Sequence, residues 1–289
     1  MRGKKVKTIA VLGPKGTFSD EVRRSIASMI CEDFKVQYHD HIRDVVSMIN
    51  CSADYAILPF ENSIDGYIGS HMDLLLQSRA VIVAEHTYPI KYDFVYHAQK
   101  CHKIYVQYAA KNQCQAFMKS RGDEEIFITE SNTQSLDHFL REDDCGAIIP
   151  KHLSESLKHC QRVMDVQDIV GNETRFLLLS KQEDKAFHAL SDTLKVTLVI
   201  STKHDRPGLL YDILREFKKR DMSLISIMSR PTREGMGKYH FFIELGWDFS
   251  GLAHLVEKLS EIKPLLDFRI LGVYPVLKSK SPMGPGVAQ

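Results

Sequence analysis

The chain has 289 residues, 44% of them hydrophobic, enough for one large domain or two smaller ones around a sizeable core. Its 38 basic and 37 acidic residues leave a formal net charge of +1, which excludes nucleic acid and anionic membranes as the expected main partners. Six scattered cysteines with no C-x-x-C pair, no apolar stretch behind the basic N-terminus and no apolar run of bilayer length predict a cytoplasmic protein with reduced thiols.

In chain order, residues 8–12 read as a buried strand ending at Gly13-Pro14-Lys15-Gly16. Thr17-Phe18-Ser19-Asp20 then opens a helix, with Ser19 as the expected N-cap and Asp20 and Glu21 matched to the positive end of the helix dipole. Such a turn can hold an anion on free backbone amides, although it fits neither the P-loop nor G-x-G-x-x-G. A helix near 42–50 precedes a second buried strand over 55–59. Behind it comes Phe60-Glu61-Asn62-Ser63-Ile64-Asp65-Gly66, and then a helix over about 68–78. Residues of these types make caps and turns. At the carboxyl end of a strand they also make a ligand shelf.

Strands over 81–85 and 93–97, interrupted at Pro89, open a second lobe. It holds strands near 103–107 and 145–149 and helices near 112–120, 133–141 and 151–159. Ala147-Ile148-Ile149-Pro150 echoes Ala56-Ile57-Leu58-Pro59, each followed by a helix, which points to two similar α/β lobes. The chain crosses between them near 85–90 and returns near 166–176. At the return lies Gly171-Asn172-Glu173-Thr174-Arg175-Phe176, a glycine, polar groups, a hydroxyl and a guanidinium set before an apolar run. Side chains at such a strand end face a cleft between lobes, where α/β proteins bind ligands. In a cytosolic protein Asn172-Glu173-Thr174 has no meaning as a glycosylation site.

A polar stretch over 181–193 reads as a linker, and the pattern then changes. A strand over 195–201, a helix to about 219, strands over 223–230 and 238–246 joined by a hairpin loop at 234–237, a helix over 250–262 and a strand over 267–277 follow. This β-α-β-β-α-β order is the ferredoxin-like split unit. The domains are thus 1–185, with lobe one at about 1–85 and 174–185 and lobe two at about 86–173, then 194–278. The Pro- and Gly-bearing residues 279–289 are an expected disordered tail.

His39-x-His41 and Cys101-His102 have no partners at zinc-site spacing, and no G-x-S-x-G, H-E-x-x-H or P-loop occurs. The expectation is a cleft that works without metal or cofactor.

Three stretches, Gly13-Pro14-Lys15-Gly16-Thr17-Phe18-Ser19, Pro59-Phe60-Glu61-Asn62-Ser63-x-x-Gly66 and Thr174-Arg175-Phe176, resemble in order the signatures of the prephenate dehydratase family. The C-terminal unit resembles an ACT domain, through Arg206-Pro207-Gly208-Leu209-Leu210 and Met228-Ser229-Arg230-Pro231. The likeness covers about residues 8–277. It implies an α/β fold: a two-lobed catalytic domain like a type II periplasmic binding protein, plus a ferredoxin-like βαββαβ regulatory domain. It implies conversion of prephenate to phenylpyruvate with loss of water and carbon dioxide, in phenylalanine synthesis. It also implies homodimers or homotetramers and inhibition by phenylalanine.

The resemblance assigns Thr174 the central chemical role, with Glu61 and Asn62 as the acid and amide of the cleft. The substrate contacts it implies are Thr17, Ser19, Ser63, Gln113, Arg175 and Phe176. Effector contacts are implied at Asp205, Pro207, Gly208, Leu209, Leu210, Ser229, Arg230 and Pro231. The chain departs from the family at Val106-Gln107-Tyr108-Ala109, where Ser-His-Pro-Gln is usual, and a serine hydroxyl is lost there. Met228 and Leu209 replace a glutamate and an alanine in the regulatory unit. The alternatives are an arogenate dehydratase or a non-catalytic amino-acid sensor built on the same clamp.

Overall fold

The computed structural model describes residues 6–97, 101–201, 206–233, 235, 238–248 and 251–278; Asp205, most of the 234–237 hairpin loop and the expected tail at 279–289 lie outside them. In lobe one, β1 (Lys7–Leu12) runs parallel to β2 (Phe34–His39) and to β3 (Tyr55–Asn62). Next to β3 lies β11 (Glu173–Ser180), antiparallel, and beyond it β5 (Val81–Pro89), antiparallel again. Lobe two repeats this arrangement. There β7 (Lys103–Gln107) is parallel to β8 (Glu125–Thr129) and to β9 (Cys145–Pro150), and β9 pairs antiparallel with β6 (Tyr92–Tyr96), which pairs with β10 (Gln161–Val163). The echo between Ala56–Pro59 and Ala147–Pro150 is therefore architectural, since β3 and β9 hold equivalent places in their sheets. Every residue of β9 is buried, which is why that strand reads as a continuous apolar run.

The C-terminal unit contains β12 (Thr193–Ser201), α8 (Leu209–Lys218), β13 (Leu224–Pro231), β14 (Tyr239–Asp248), α9 (Leu252–Ile262) and β15 (Phe268–Leu277). Its strand order β13-β14-β12-β15 is ferredoxin-like. One face packs Val196, Leu198 and Ile243 on Ile213, Phe217 and Leu255 of the helices. The opposite face does not meet solvent. Val199, Phe242, Leu271 and Tyr274 merge with Leu58, Leu75 and Leu177 of lobe one in one core. At the seam β15 pairs parallel with β5, so the two units share one sheet. Gly272 permits this approach, because a Cβ there would stand 2.3 Å from the Ile82 carbonyl oxygen.

Several local expectations change. The N-cap of α1 (Phe18–Ile30) is Thr17, whose side chain accepts from the Asp20 amide, and Ser19 is buried in the first turn. The helix expected over 112–120 is two short ones, α4 (Tyr108–Gln113) and α5 (Gln115–Arg121), divided at Cys114. The helix expected over 151–159 stops at Ser154. Strands β2 and β8 were not expected. Both flank the parallel strand next to them with half-exposed side chains, so the continuous apolar signal of a buried strand is missing. The presumed linker is docked rather than free: Phe187 is buried, Asp184 accepts from Tyr55 at 2.6 Å, and the His188 ring meets the Val273 carbonyl.

Candidate active site

Two chain segments cross between the lobes side by side. The Ile90 amide donates to the Asn172 carbonyl at 2.8 Å, just beyond the pairing of β5 with β11. On the adjacent strand Asn62 stands opposite Thr174, and Glu61 opposite Arg175. Because side chains alternate along a strand, those two pairs face opposite sides of the sheet.

The Asn62–Thr174 side carries a connected hydrogen-bond network. Asn62 Oδ1 accepts from the Ile64 and Asp65 amides, at 2.9 and 3.3 Å. That orients the amide, so Nδ2 is the end that donates: to Thr174 Oγ1 at 3.0 Å, Asn172 Oδ1 at 2.8 Å and the Glu173 carbonyl at 3.2 Å. Thr174 Oγ1 is the acceptor of its bond, and the hydroxyl hydrogen is turned away from Asn62. Asn172 then donates through Nδ2 to Gln113 Oε1 of lobe two at 2.9 Å. Ser63 closes the turn by accepting from the Glu173 amide at 3.0 Å. Asn62, Asn172 and Thr174 are all buried, with Asn172 only 2% exposed. In front of them lies a cleft of about 330 Å³, lined by Ile64 and Asp65 of lobe one, Tyr108, Asn112 and Gln113 of lobe two, and Asn172. This is the small end of the range for small-molecule sites, roughly 300–1,000 Å³.

Of the residues expected along the cleft, the fold brings together Thr174, Asn62, Ser63 and Gln113. Others lie elsewhere, and the pleat is the main reason. Arg175 points to the regulatory unit, where Nη1 and Nη2 contact the Glu244 carboxylate at 2.8 and 3.0 Å. Its Nε is 3.2 Å from Glu61 Oε2, a charge contact without hydrogen-bond alignment. Glu85 joins them, held by Lys195 Nζ at 2.7 Å. Burial pushes the Glu85 carboxyl up despite Arg175 and Lys195 beside it. Burial also disfavours the Arg175 cation, but Glu244 and Glu85 outweigh it and hold the group firmly charged.

Phe176 is packed in the core of lobe one. Thr17 Oγ1 is engaged in capping, donating to the Leu12 carbonyl at 2.9 Å. The 13–19 turn is likewise closed on itself, its Gly16 amide donating to Asp20 Oδ2 at 3.0 Å. Gln107, in the segment that replaces Ser-His-Pro-Gln, caps α4 with its side chain, whereas Tyr108 is 65% exposed and reaches the cleft.

Around the expected effector site, Pro207 and Gly208 form the turn into α8, Leu209 packs on the helix-side core and Leu210 is exposed. Ser201 and Arg230 both pair with His240 in the sheet, so the last residue of β12 and the Ser229-Arg230-Pro231 end of β13 share one end of the unit. Arg230 turns inward and meets Asp73 of α3 (Gly69–Gln77) at 3.0 Å. Met228 packs against the shared core, an apolar residue at an apolar seam.

Sequence reasoning missed Asn172 as a site residue. Its one signal was position, directly after Gly171, whose φ of +87° favours glycine, and two residues before Thr174.

Two α/β lobes of identical strand order, hinged side by side, with a βαββαβ unit continuing the sheet of the first, define a ligand clamp of the periplasmic-binding-protein type joined to a sensor module. The family description "Prephenate dehydratase" matches residues 9–184, and "ACT domain" matches residues 196–263. The chain is 30% identical over 277 residues to the prephenate dehydratase of Methanocaldococcus jannaschii, covering 93% of this chain and 98% of that one. It is 30% identical over 276 residues to that of Lactococcus lactis subsp. cremoris, covering 93% and 97%. Among solved structures it resembles the prephenate dehydratase of Staphylococcus aureus, with a TM-score of 0.75, 23% identity and coverage of 92% and 99%. It is also similar to the prephenate dehydratase of Arthrobacter aurescens in complex with L-Phe, with a TM-score of 0.75, 25% identity and coverage of 96% and 92%. The chain belongs to the prephenate dehydratase family and carries an ACT domain.

Proposed function

We propose that the chain converts prephenate to phenylpyruvate in phenylalanine biosynthesis, with Thr174 assisting the leaving group, and that phenylalanine inhibits it through the ACT domain. The observation that carries this reading is the Asn62–Thr174 hydrogen bond at the hinge of a two-lobed cleft. Prephenate must lose a carboxylate as carbon dioxide and a ring hydroxyl as water. The electron pair of the breaking carbon–carboxylate bond enters the ring and expels the hydroxyl at the opposite carbon. Aromatisation supplies much of the driving force, so the protein needs to position the substrate and to polarise the departing oxygen. Thr174 does the second with its hydroxyl hydrogen. A donor on Oγ1 strengthens it, since the Asn62 amide stabilises negative charge there.

Glu61 and Arg175 support the reaction indirectly, by fixing β3 and β11 to the ACT domain. Toward a dianion the cleft presents the neutral donors Nε2 of Gln113, the Tyr108 hydroxyl and Asn112, beside the carboxylates of Asp65 and of Asp168, the latter held by the Gln115 and Ala116 amides. Purified protein incubated with prephenate should produce phenylpyruvate, read by its absorbance in alkali. Turnover of arogenate instead would identify the amino analogue as substrate. Binding of phenylalanine without turnover of either would identify a sensor.

The effector reading rests on the end of the ACT sheet that the last residue of β12 shares with Ser229–Pro231. The reading includes homodimers or homotetramers, supported by the edge position of β13 and by Ile225 and Tyr211, which are 56% and 67% exposed. No described helix is long and apolar enough to cross a membrane.

A further inference from the structure

We infer that Asn172 is a positioning residue that sets the polarity of the cleft and ties lobe two to the hinge, an inference that rests on the prephenate dehydratase reading. Its backbone and side chain do separate jobs. The carbonyl clasps Ile90, the other segment crossing between the lobes. The side chain reaches across the cleft, accepting from Asn62 in lobe one and donating to Gln113 in lobe two.

The direction of every bond in this chain is determined at its root. Backbone amides of Ile64 and Asp65 can only donate, so Asn62 Oδ1 must face them and Nδ2 must face Asn172. Asn172 therefore presents Oδ1 to Asn62 and Nδ2 to Gln113. Gln113 in turn spends its Oε1 on that bond and leaves Nε2, a donor, as the end for the cleft. A carboxylate-bearing substrate needs donors there, and a flipped Gln113 would offer an acceptor. Asn172 is thus the element that converts two backbone amides in lobe one into a donor on lobe two. Being 2% exposed, it keeps this bond out of competition with water.

Asn172→Asp isolates the function, because it keeps an acceptor for Asn62 and replaces the donor facing Gln113 with an oxygen. Gln113 then flips to donate, and Oε1 meets the substrate. The expected result is a KM for prephenate raised about tenfold, the size of one lost hydrogen bond to a charged group, with kcat changed less. Gln113→Ala should raise KM similarly, and the double variant should be no worse than either single one. Multiplying effects in the double variant, or an unchanged KM in Asn172→Asp, would overturn the inference. Should Asn172→Asp fail to fold, a second measurement decides: the Asn172 side-chain amide protons should exchange slowly with solvent in the wild type and quickly in Gln113→Ala. Fast exchange in the wild type sinks the inference. This readout needs no substrate, so it separates a wrong role for Asn172 from a wrong activity for the chain.

Discussion

Asn62 Nδ2 donates to Thr174 Oγ1 at 3.0 Å across the β3–β11 pair, which makes the threonine hydroxyl a donor aimed away from Asn62. Thr174→Ala should therefore lower kcat about 10²–10³-fold, the scale for one donor to a developing negative oxygen, and change KM little. Thr174→Ser keeps the hydroxyl and should retain most activity. Phenylpyruvate formation measures both, and near-normal kcat in Thr174→Ala would remove Thr174 from the chemistry.

Arg175 has a structural task at the seam. Its side chain is 11% exposed and faces Glu244 and Glu85, each 3% exposed. Arg175→Gln leaves those carboxylates buried with Lys195 as the nearby cation, and should destabilise the chain by about 3–5 kcal/mol. Urea unfolding measures the loss. Glu244→Gln is milder. Turnover should stay within a few-fold of wild type while inhibition by phenylalanine weakens, because a bond that joins the ACT domain to β11 is lost.

Tyr108 stands where the family usually carries a short polar run, and its ring is 65% exposed at the cleft. Tyr108→Phe removes a hydroxyl and little else. KM for prephenate should rise about threefold to tenfold with kcat nearly constant, as for one neutral hydrogen bond. Steady-state kinetics with an unaltered KM would show that the tyrosine merely borders the cleft.

Asp20 predicts a pH dependence of stability. Burial alone would raise its pKa, but Arg23, the Gly16 amide and Tyr38 outweigh burial and hold it below the ordinary aspartate value. A lowered folded-state pKa means that its contribution is complete above the ordinary value of about 4 and disappears as pH falls through the lowered one. Thermal melts of wild type and Asp20→Asn should accordingly differ most near neutral pH and converge as pH falls through the lowered folded-state pKa. A constant gap over that range would count against the assignment.

Much of this arrangement was legible in the residues. Continuous apolar runs marked β1, β3 and β9, and the Ala-Ile-x-Pro echo anticipated two lobes of the same build. The fold gathers Thr174, Asn62, Ser63 and Gln113 around one hydrogen-bond network, with Gln113 on the cleft wall. Arg175 had two readings from the sequence, a substrate contact or a structural ion pair, and the fold pairs it with Glu61 and Glu244 away from that network. Alternation along β3 and β11 sends Asn62 and Thr174 to one face and Glu61 and Arg175 to the other, and the face that meets the cleft cannot be read from the strand itself. At the 13–19 turn the Gly16 amide, one of the donors expected for an anion, is taken by Asp20.

The amino-acid sequence by itself determined the two kinds of unit, the order of their elements and the family, because hydrophobic periodicity and short motifs are properties of neighbouring residues. Only the tertiary structure decided which unit each polar side chain serves. Glu244 lies 69 residues from Arg175 and Gln113 lies 59 from Asn172, yet one pair joins the ACT domain to β11 and the other bridges the cleft. Such contacts depend on where sheets meet and which way their pleats face, and no local pattern carries that information.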